Sequence, residues 1–337
     1  ATLHDVARIA GVSIKTVSNV INDYPHIRPT TRAKVEQAIA ELGYTPNLTA
    51  RNLRSGRTGA IALAVPDLPL SYFPELAAEV IAEAERAGVV VLIEQTGGDR
   101  ARELELLSSP RLKLTDGLIF SALGMGQDDV DSLRVPYPLV LLGERIFDGP
   151  VDHVTMQNVE AARAATEYLL ASGRRRIAVV GAHEGEVIGS AGLRLRGYRE
   201  ALEAAGVPYD ESIVAFTTLW HRANGARAMH ELLDRGVSFD AVFGLNDTLA
   251  LGAMRTMQEA GIHVPDDVSV VGWDDLDEAQ FSIPSLTTVD PGRPWIARTA
   301  VQTLLTRIAV PLSGHEARLQ LADFRIVERE SAPRGIR

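Results

Sequence analysis

The stretch from residue 14 to residue 19 carries side chains of the kind that read base edges in DNA. Ile14, Lys15, Ser18 and Asn19 are spaced so that they share one face of a helix. A lysine can donate hydrogen bonds to guanine O6 and N7, an asparagine can pair with adenine through two hydrogen bonds, and an isoleucine can contact a thymine methyl group. This chemistry requires a helix that lies in the major groove and presents these side chains to it.

The first 45 residues predict short helices, because they show helical spacing of apolar residues and no strand-like alternation. We expect helices over residues 3–10, from 14 to about 21, and after Pro29, with Gly11 and Gly43 ending the first and the third. Two helices across a three-residue turn form a helix-turn-helix arrangement. An ordinary three-helix bundle with solvated polar positions has the same pattern, so the helices alone leave both interpretations open.

Two residues of this segment meet specific demands of a helix-turn-helix. The first helix must approach the second closely, which requires a small inward residue, and the turn requires a residue that tolerates positive φ. Ala7 and Gly11 fit these two positions. The apolar seam between the helices is expected to consist of Val6, Val12, Val17 and Val20.

Charge is divided unevenly along the chain. The whole sequence has a net charge of −10, but residues 1–60 hold eight lysines and arginines against four acids, a net of +4. The remainder therefore carries −14. A basic segment neutralises phosphates and an acidic body is repelled by them, so any DNA-binding surface is expected near the N-terminus.

Composition and motifs exclude several classes of function. The chain has no cysteine, hence no disulfide and no thiol nucleophile, and no apolar run of the ~18 residues that span a bilayer. HEGEV (183–187) lacks the second histidine of a zinc-protease motif, and IGSAG (188–192) lacks the first glycine of a hydrolase nucleophile motif. We expect no enzyme activity, no catalytic residue, no metal and no cofactor. Without a secretory signal, the expected location is the cytoplasm, at the bacterial nucleoid.

From residue 60 onward, strand-length apolar runs such as IALAV (61–65) and VSVVGW (268–273) alternate with amphipathic helical segments. This alternation predicts an α/β body on doubly wound parallel sheets, in two lobes with a cleft at the carboxyl ends of the strands. The expected divisions are a helix-turn-helix head (1–45), a hinge or linker (46–58), a body (59–330) and a tail (331–337). Within the body, the first lobe covers about 59–158 and 290–318, and the second about 159–289 and 319–330.

Two stretches of the N-terminal segment resemble the head and hinge of the lactose-repressor (LacI/GalR) family. They are TLHDVARIAGVSIKTVSNVIN (2–22) and TRAKVEQAIAELGYTPNLTARNLRSG (31–56). The resemblance implies that the hinge becomes a short helix on DNA and that Leu53 wedges into the minor groove, although Leu53 could instead be a linker residue that packs on the body. The implied DNA contacts are Thr2, Ser13, Ile14, Lys15, Thr16, Ser18, Asn19, Asn22, Arg28, Thr31, Tyr44, Asn47, Ala50, Leu53 and Arg54.

The body resembles the effector domain of the same family, which has the two-lobed periplasmic-binding-protein fold of type I. The matching stretches are RLRGY (194–198), NDTLALGAM (246–254), VSVVGWDD (268–275) and PSLTTV (284–289). A sugar site needs flat apolar surfaces for ring C–H bonds and a few polar groups that grip vicinal hydroxyls. The residues at the matching positions are Asp67, Tyr72, Phe73, Arg194, Trp220, Asn246 and Asp274.

Several of these effector candidates also have a purely structural interpretation. Arg194 could be a solvated arginine, Asn246 could cap the helix that follows it, and Phe73 could belong to the core. Asp274 competes with Asp275 as a turn former. The family's aromatic lid is displaced or missing, because DPGRPW (290–295) replaces the usual polar, acidic and aromatic run.

These features together predict a transcriptional regulator. The expected protein is a homodimeric repressor that binds a near-palindromic operator and is released by a mono- or disaccharide, with no membrane partner. A nucleobase or nucleoside, a phosphoprotein partner, or a ligand that acts as corepressor are alternatives that the same parts allow.

Overall fold

The computed structural model describes residues 1–21, 24–44, 57–310 and 316–334. These residues form two units, Ala1–Gly59 and Ala60–Arg337. The expected division between head and hinge (45/46) falls outside the described residues. The expected tail is wrong in part, because Ser331 and Ala332 are buried in the body, where the Ala332 carbonyl oxygen accepts from the Tyr168 hydroxyl. In the part of the chain that is described, no helix is both long enough and apolar enough to cross a bilayer.

The N-terminal unit consists of helices α1 (Leu3–Ala10), α2 (Ile14–Ile21) and α3 (Pro29–Leu42). A capping box starts α1: the Thr2 side chain accepts from the backbone N–H of Asp5, and the Asp5 carboxylate accepts from the backbone N–H of Thr2 at 2.9 Å. The three predicted helices are confirmed at their predicted positions.

The turn and the core of this unit follow from its small and branched residues. Gly11 adopts a φ of 66°, which an L-side chain rarely tolerates, and so lets the chain turn tightly into α2. Ala7 is buried and allows the two helices to approach. The buried core contains Val6, Ala7, Val17, Val20, Val35 and Ala38, with Val12 at its edge.

The first lobe of the body contains a six-stranded parallel sheet in the order β11-β5-β4-β3-β1-β2. Its strands are β1 (Ala60–Val65), β2 (Val90–Gln95), β3 (Leu118–Ser121), β4 (Leu139–Leu142), β5 (Asp152–Met156) and β11 (Leu319–Ala322). Alternate residues of β1 point to opposite faces of the sheet. Leu63 packs in the core on one face, under α4 (Tyr72–Arg86) and α11 (Arg293–Ala309). Ala64 packs in the core on the other face, under α5 (Arg100–Leu107). The sheet is therefore covered on both faces.

The second lobe repeats this arrangement with the strand order β12-β10-β9-β8-β6-β7. Its strands are β6 (Ile177–Ala182), β7 (Val214–Phe216), β8 (Ala241–Gly244), β9 (Ser269–Trp273), β10 (Thr287–Asp290) and β12 (Arg325–Val327). Its helices are α6 (Asn158–Ala171), α7 (Ser190–Ala204), α8 (Arg222–Asp234), α9 (Asp247–Glu259) and α10 (Asp277–Phe281). Short 3₁₀ helices occur at Pro110–Leu114, Gln127–Leu133 and Glu211–Ile213. The β12 strand runs antiparallel to β10.

The chain passes between the lobes at three points: from β5 to α6, from β10 to α11, and from β11 to β12. The two-lobed α/β prediction is confirmed, but one boundary differs. The sequence places residues 319–330 in the second lobe, whereas β11 pairs with β5 in the first sheet. Two short strands separated by a two-residue turn carry no local sign of which sheet each one joins.

Close approach of α6 and α7 gives a test of the fold. A Cβ atom on Gly197 would lie 2.2 Å from the carbonyl oxygen of Val159, so a methyl group there forces the helices apart. We expect Gly197→Ala to lower the free energy of unfolding by about 1–3 kcal/mol in urea denaturation. The neighbouring exposed variant Arg196→Ala should change it by less than about 0.5 kcal/mol, and equal effects from both would contradict the close contact.

Candidate functional site

The exposed face of α2 contains the predicted base-reading residues. Ile14 is 37% exposed and Lys15 is exposed, while Ser18 and Asn19 are half-buried beside them. Val17 and Val20 lie on the opposite, buried face. The structure thus brings the four predicted side chains together on one surface of the head.

The remaining predicted DNA contacts fall into two groups. The Ser13 hydroxyl caps α2 by accepting from the backbone N–H of Thr16 at 3.1 Å, as Thr2 caps α1. Arg28 is exposed at the start of α3, Thr31 is half-buried on its first turn, and Tyr44 packs at the edge of the head core. Asn22, Asn47, Ala50, Leu53 and Arg54 lie outside the described residues.

A cavity of about 430 Å³ lies between the two lobes of the body. It is lined by segments that follow the carboxyl ends of β1, β3 and β4 in the first lobe and of β6, β7 and β9 in the second. Parallel sheets place ligand sites at this edge, because every strand ends there and continues into a loop. The predicted cleft is therefore present.

Arg194, on α7, is the most buried cation of the cavity wall at 3% exposure. Its guanidinium carbon lies 4.0 Å from the ring centroid of Trp273 and 5.2 Å from that of Trp220. Nε donates to Asn158 Oδ1 at 2.8 Å and Nη1 donates to the carbonyl oxygen of Leu245. This burial lowers the pKa of Arg194 below its ordinary value. The interpretation as a solvated arginine is wrong.

Asp274 follows β9 and lines the same cavity. It is 5% exposed, and among the residues that the structure describes none donates a hydrogen bond to its carboxylate. Burial raises its pKa well above the ordinary value, and the charges of Asp247 and Glu144 add to that effect against the opposing charge of Arg194. Asp275, the competing turn former, is instead paired with Arg329 at 2.6 Å.

Three predicted aromatic residues form apolar parts of the wall. Tyr72 and Phe73, at the start of α4, meet edge to face with ring centroids 5.3 Å apart. Trp220 is half-buried, and its indole Nε1 donates to the carbonyl oxygen of Gly181 at 2.8 Å, which fixes the ring plane. No residue of the DPGRPW segment, Trp295 included, lines the cavity, but Ile296, the next residue on α11, does.

Asn246 does not line the cavity. Its Oδ1 accepts from the backbone N–H of Leu249 at 2.8 Å and caps α9, and its Nδ2 donates to the carbonyl oxygen of Trp220 at 3.2 Å. Both ends of the amide are thus used inside the protein. The structural interpretation of Asn246 holds, and the residue positions the Trp220 segment.

Sequence reasoning missed several polar residues of the wall. They are Glu144, Arg145, His183, Glu186, Ser190 and His221. A signal was present for two of them, since Glu144 comes shortly after β4 and His183 directly after β6, at the same edge as Asp67 and Asp274. The others lie on longer loops or helix ends that the strand pattern does not locate.

An ion pair and a contact between a carboxylate and an imidazole join the two lobes around the cavity. Arg145 Nη1 of the first lobe lies 3.0 Å from Glu186 Oε2 of the second. Asp67 Oδ2 of the first lobe lies 3.0 Å from His221 Nε2 of the second. Asp67 therefore lines the cavity as predicted, but its carboxylate is already paired with the opposite lobe.

The fold and the cavity define a DNA-binding regulator with a ligand-binding body. Residues 2–47 match the family described as bacterial regulatory proteins, lacI family, and residues 166–332 match the periplasmic binding protein-like domain. The chain is 37% identical to the transcriptional regulator CelR of Thermobifida fusca over 91% of this chain and 92% of CelR. It is 33% identical to the ribose operon repressor of Escherichia coli K12 over 98% of this chain and all of the repressor. The chain belongs to the lacI family of bacterial regulatory proteins.

Solved structures agree with this assignment. A putative LacI-family regulator from Sanguibacter keddieii is 54% identical, with a TM-score of 0.77 over 82% of this chain and 99% of that one. The Lac repressor dimer bound to operator and the anti-inducer ONPF is 28% identical, with a TM-score of 0.80 over 99% of both chains. The CelR–cellobiose complex is 31% identical, with a TM-score of 0.72 over 98% of this chain and 99% of CelR.

A buried carboxylate behind the Asp274 loop gives a prediction on pH. Asp247 is fully buried, accepts from the Leu276 N–H at 2.9 Å and from the Thr288 hydroxyl at 2.6 Å, and burial raises its pKa to about 7. Because the folded protein holds this proton more tightly than the unfolded chain does, the proton contributes to the free energy of unfolding near pH 4. That contribution is lost as the pH rises through about 7. Asn stays neutral, so Asp247→Asn should gain stability relative to wild type over that interval, by up to roughly 1.4 kcal/mol per pH unit.

Denaturant unfolding of the full chain across this pH range measures the difference between variant and wild type. The exposed variant Asp234→Asn serves as the control and should show no trend. A constant difference between Asp247→Asn and wild type at all pH values would mean that Asp247 is ionised throughout.

Proposed function

We propose that this chain is a homodimeric repressor that holds a near-palindromic operator and releases it when a mono- or disaccharide binds in the interlobe cavity. The observation that carries the sugar assignment is the pairing of Asp274, a buried carboxylate with unused acceptors, with an apolar wall at Tyr72, Phe73 and Trp220. Sugars present both hydroxyl donors and flat C–H faces, and this cavity offers a partner to each.

The relatives support this ligand class. CelR, which shares 31% identity with this chain in its solved structure, is described in complex with cellobiose. A LacI-family regulator from Enterococcus faecium, 25% identical, is described with bound ribose. We assign Asp274 to accept from ligand hydroxyls and Arg194 to donate to ligand oxygens. The aromatic residues are assigned to stack against the ring.

The DNA-binding half of the proposal rests on the head. Ile14, Lys15, Ser18 and Asn19 are assigned to base contacts, and Thr2, Arg28, Thr31 and Tyr44 to the phosphate backbone. Leu53 is assigned to the minor groove, with Asn47, Ala50 and Arg54 beside it in the hinge. Action on operator DNA places the protein in the bacterial cytoplasm at the nucleoid, as a regulator without catalytic activity.

A homodimer is the assembly that the exposed surface favours. Phe281 is 73% exposed and Ile283, two residues later in the second lobe, is 87% exposed, while Val90 is 57% exposed on the edge strand of the first lobe. Such apolar groups are costly to leave in water and are commonly covered by another chain. The Lac repressor, which has the same fold, is described as a dimer on its operator.

Release follows from a change in lobe closure. The pairs Arg145–Glu186 and Asp67–His221 form in the closed arrangement, and a ligand that contacts both lobes adds to them. To shift the repressor from largely operator-bound to largely free, the ligand must bind the released state more tightly than the operator-bound state by about 5.5 kcal/mol. Several buried hydrogen bonds between ligand and protein can supply a preference of that order.

Removing one charge from the cavity tests the ligand assignment. Asp274→Asn keeps the shape of the side chain but loses the charge-assisted acceptor, so we expect sugar affinity to fall by at least about tenfold. Operator affinity without sugar should stay within about twofold of wild type, since the head is unchanged. Calorimetry with a sugar panel and operator fluorescence anisotropy measure the two quantities.

The matched control is Asp277→Asn, an exposed carboxylate three residues away that does not line the cavity. It should leave both sugar and operator affinity unchanged. An undiminished sugar response in Asp274→Asn would remove this residue from the ligand site.

A second substitution tests base reading by α2. Lys15→Ala should relax the base preference at one operator position, at a cost of about 1–3 kcal/mol for the preferred base. Arg28→Ala, at an assigned phosphate contact, should weaken all sequences about equally and reduce the salt dependence. Operator-library selection measures both profiles, and a uniform loss for Lys15→Ala would reassign it to the backbone.

A further inference from the structure

A carboxylate of the protein itself occupies the place in the cavity wall where an anion would bind. The helix α7 begins at Ser190 in this wall, and the start of a helix attracts anions because its backbone N–H groups are unpaired. Glu186 Oε1 accepts from the N–H of Ala191 at 3.1 Å and from that of Gly192 at 3.2 Å. The anion-binding end of the helix is therefore already neutralised.

The same carboxylate also contacts the nearby basic side chains. Glu186 Oε2 accepts from Arg145 Nη1 at 3.0 Å and lies 2.9 Å from His183 Nδ1. Burial alone raises the pKa of Glu186, but the hydrogen bond and charge of His183 and the Gly192 N–H outweigh it and hold the pKa below its ordinary value. Glu186 thus remains ionised and committed to these partners.

The other guanidinium group of the wall has partners inside the protein for three of its five N–H groups. Arg194 donates to Asn158 Oδ1 and to the Leu245 carbonyl oxygen, and its Nη2 lies 3.4 Å from the sulfur of Met156. The carboxyl groups of Asp274 and Glu144, which line the same cavity, favour the positive charge of Arg194 and offset it. With four carboxyl groups (Asp67, Glu144, Glu186, Asp274) against two guanidinium groups (Arg145, Arg194), the lining has a formal charge of −2 when its histidines are neutral, and of −1 when Asp274 holds a proton.

We infer that this cavity accepts uncharged sugars and excludes the corresponding uronates and sugar phosphates, with Glu186 filling the anion position and Glu144 repelling a second negative charge. The inference rests on the proposed function and narrows its ligand class. An incoming anion would lose its hydration and meet like charges in a partly desolvated site, without an unpaired cation to compensate.

Matched ligand pairs test this inference by isothermal titration calorimetry on the full chain at neutral pH. The probes are glucose with glucuronate and glucose 6-phosphate, galactose with galacturonate, ribose with ribose 5-phosphate, and cellobiose. We expect each neutral sugar that binds to do so at least about tenfold more tightly than its anionic counterpart. The ratio should change little between low and high salt, because the charges involved are buried.

Variants that remove one negative charge test which residues exclude anionic ligands. Glu186→Gln keeps an acceptor for the α7 N–H groups while freeing the charge of Arg145, so the ratio between neutral and anionic ligand should fall at least about threefold. Glu184→Gln, an exposed neighbour outside the cavity wall, should leave the ratio at the wild-type value. If Glu186→Gln does not fold, Glu144→Gln provides the same test.

The outcomes separate this inference from the function on which it rests. Anionic sugars that bind as tightly as neutral ones, or more tightly, overturn the exclusion and leave sugar regulation intact. An unchanged ratio in both Glu186→Gln and Glu144→Gln overturns the roles given to these carboxylates. Failure of every sugar in the panel to bind overturns the proposed function together with this inference.

Discussion

The ligand-binding body depends on the burial of one positive charge, that of Arg194. A guanidinium group at 3% exposure is stable only when its desolvation is offset by hydrogen bonds, aromatic faces and opposite charge. The fold supplies all three: Asn158 and the Leu245 carbonyl as acceptors, Trp273 and Trp220 as faces, and Asp274 as a carboxylate. Two of these groups, Asp274 and Trp220, also line the cavity, so the contacts that stabilise Arg194 place a carboxyl group and an aromatic face in the cavity wall.

Parallel strand topology explains how these groups meet, and it sets what the sequence could predict. The alternation of apolar strands and helices indicated two α/β lobes, and a residue just after a strand, such as Asp274, could be placed at the cleft edge without any structure. The three helices of the head were predictable at nearly their observed positions, because caps and turn glycines such as Gly11 act locally.

The residues that sequence reasoning missed or misplaced have roles that depend on contacts between distant segments of the chain. Glu186 has its role because it meets Arg145, 41 residues earlier in the chain, and the first turn of α7. Asn246 is excluded from the cavity because it holds the carbonyl group of Trp220, 26 residues away. Neither partnership leaves a pattern in the local sequence, so strand-end position alone overestimated Asn246 and overlooked Glu186.

The Asp274 loop also connects the cavity to the segment that links the lobes. Asp274 adopts a φ of 117°, a backbone conformation that costs a non-glycine residue about 1–3 kcal/mol and persists only where neighbours enforce it. The enforcing contacts come from Asp247, which accepts from the Leu276 N–H, and from Arg329, which follows β12 and pairs with Asp275. Because β12 lies directly after the last crossover, a ligand that stabilises this loop stabilises one arrangement of the lobes as well. Under the proposed function, these contacts, which are already present in the fold, would couple the free energy of ligand binding to lobe closure.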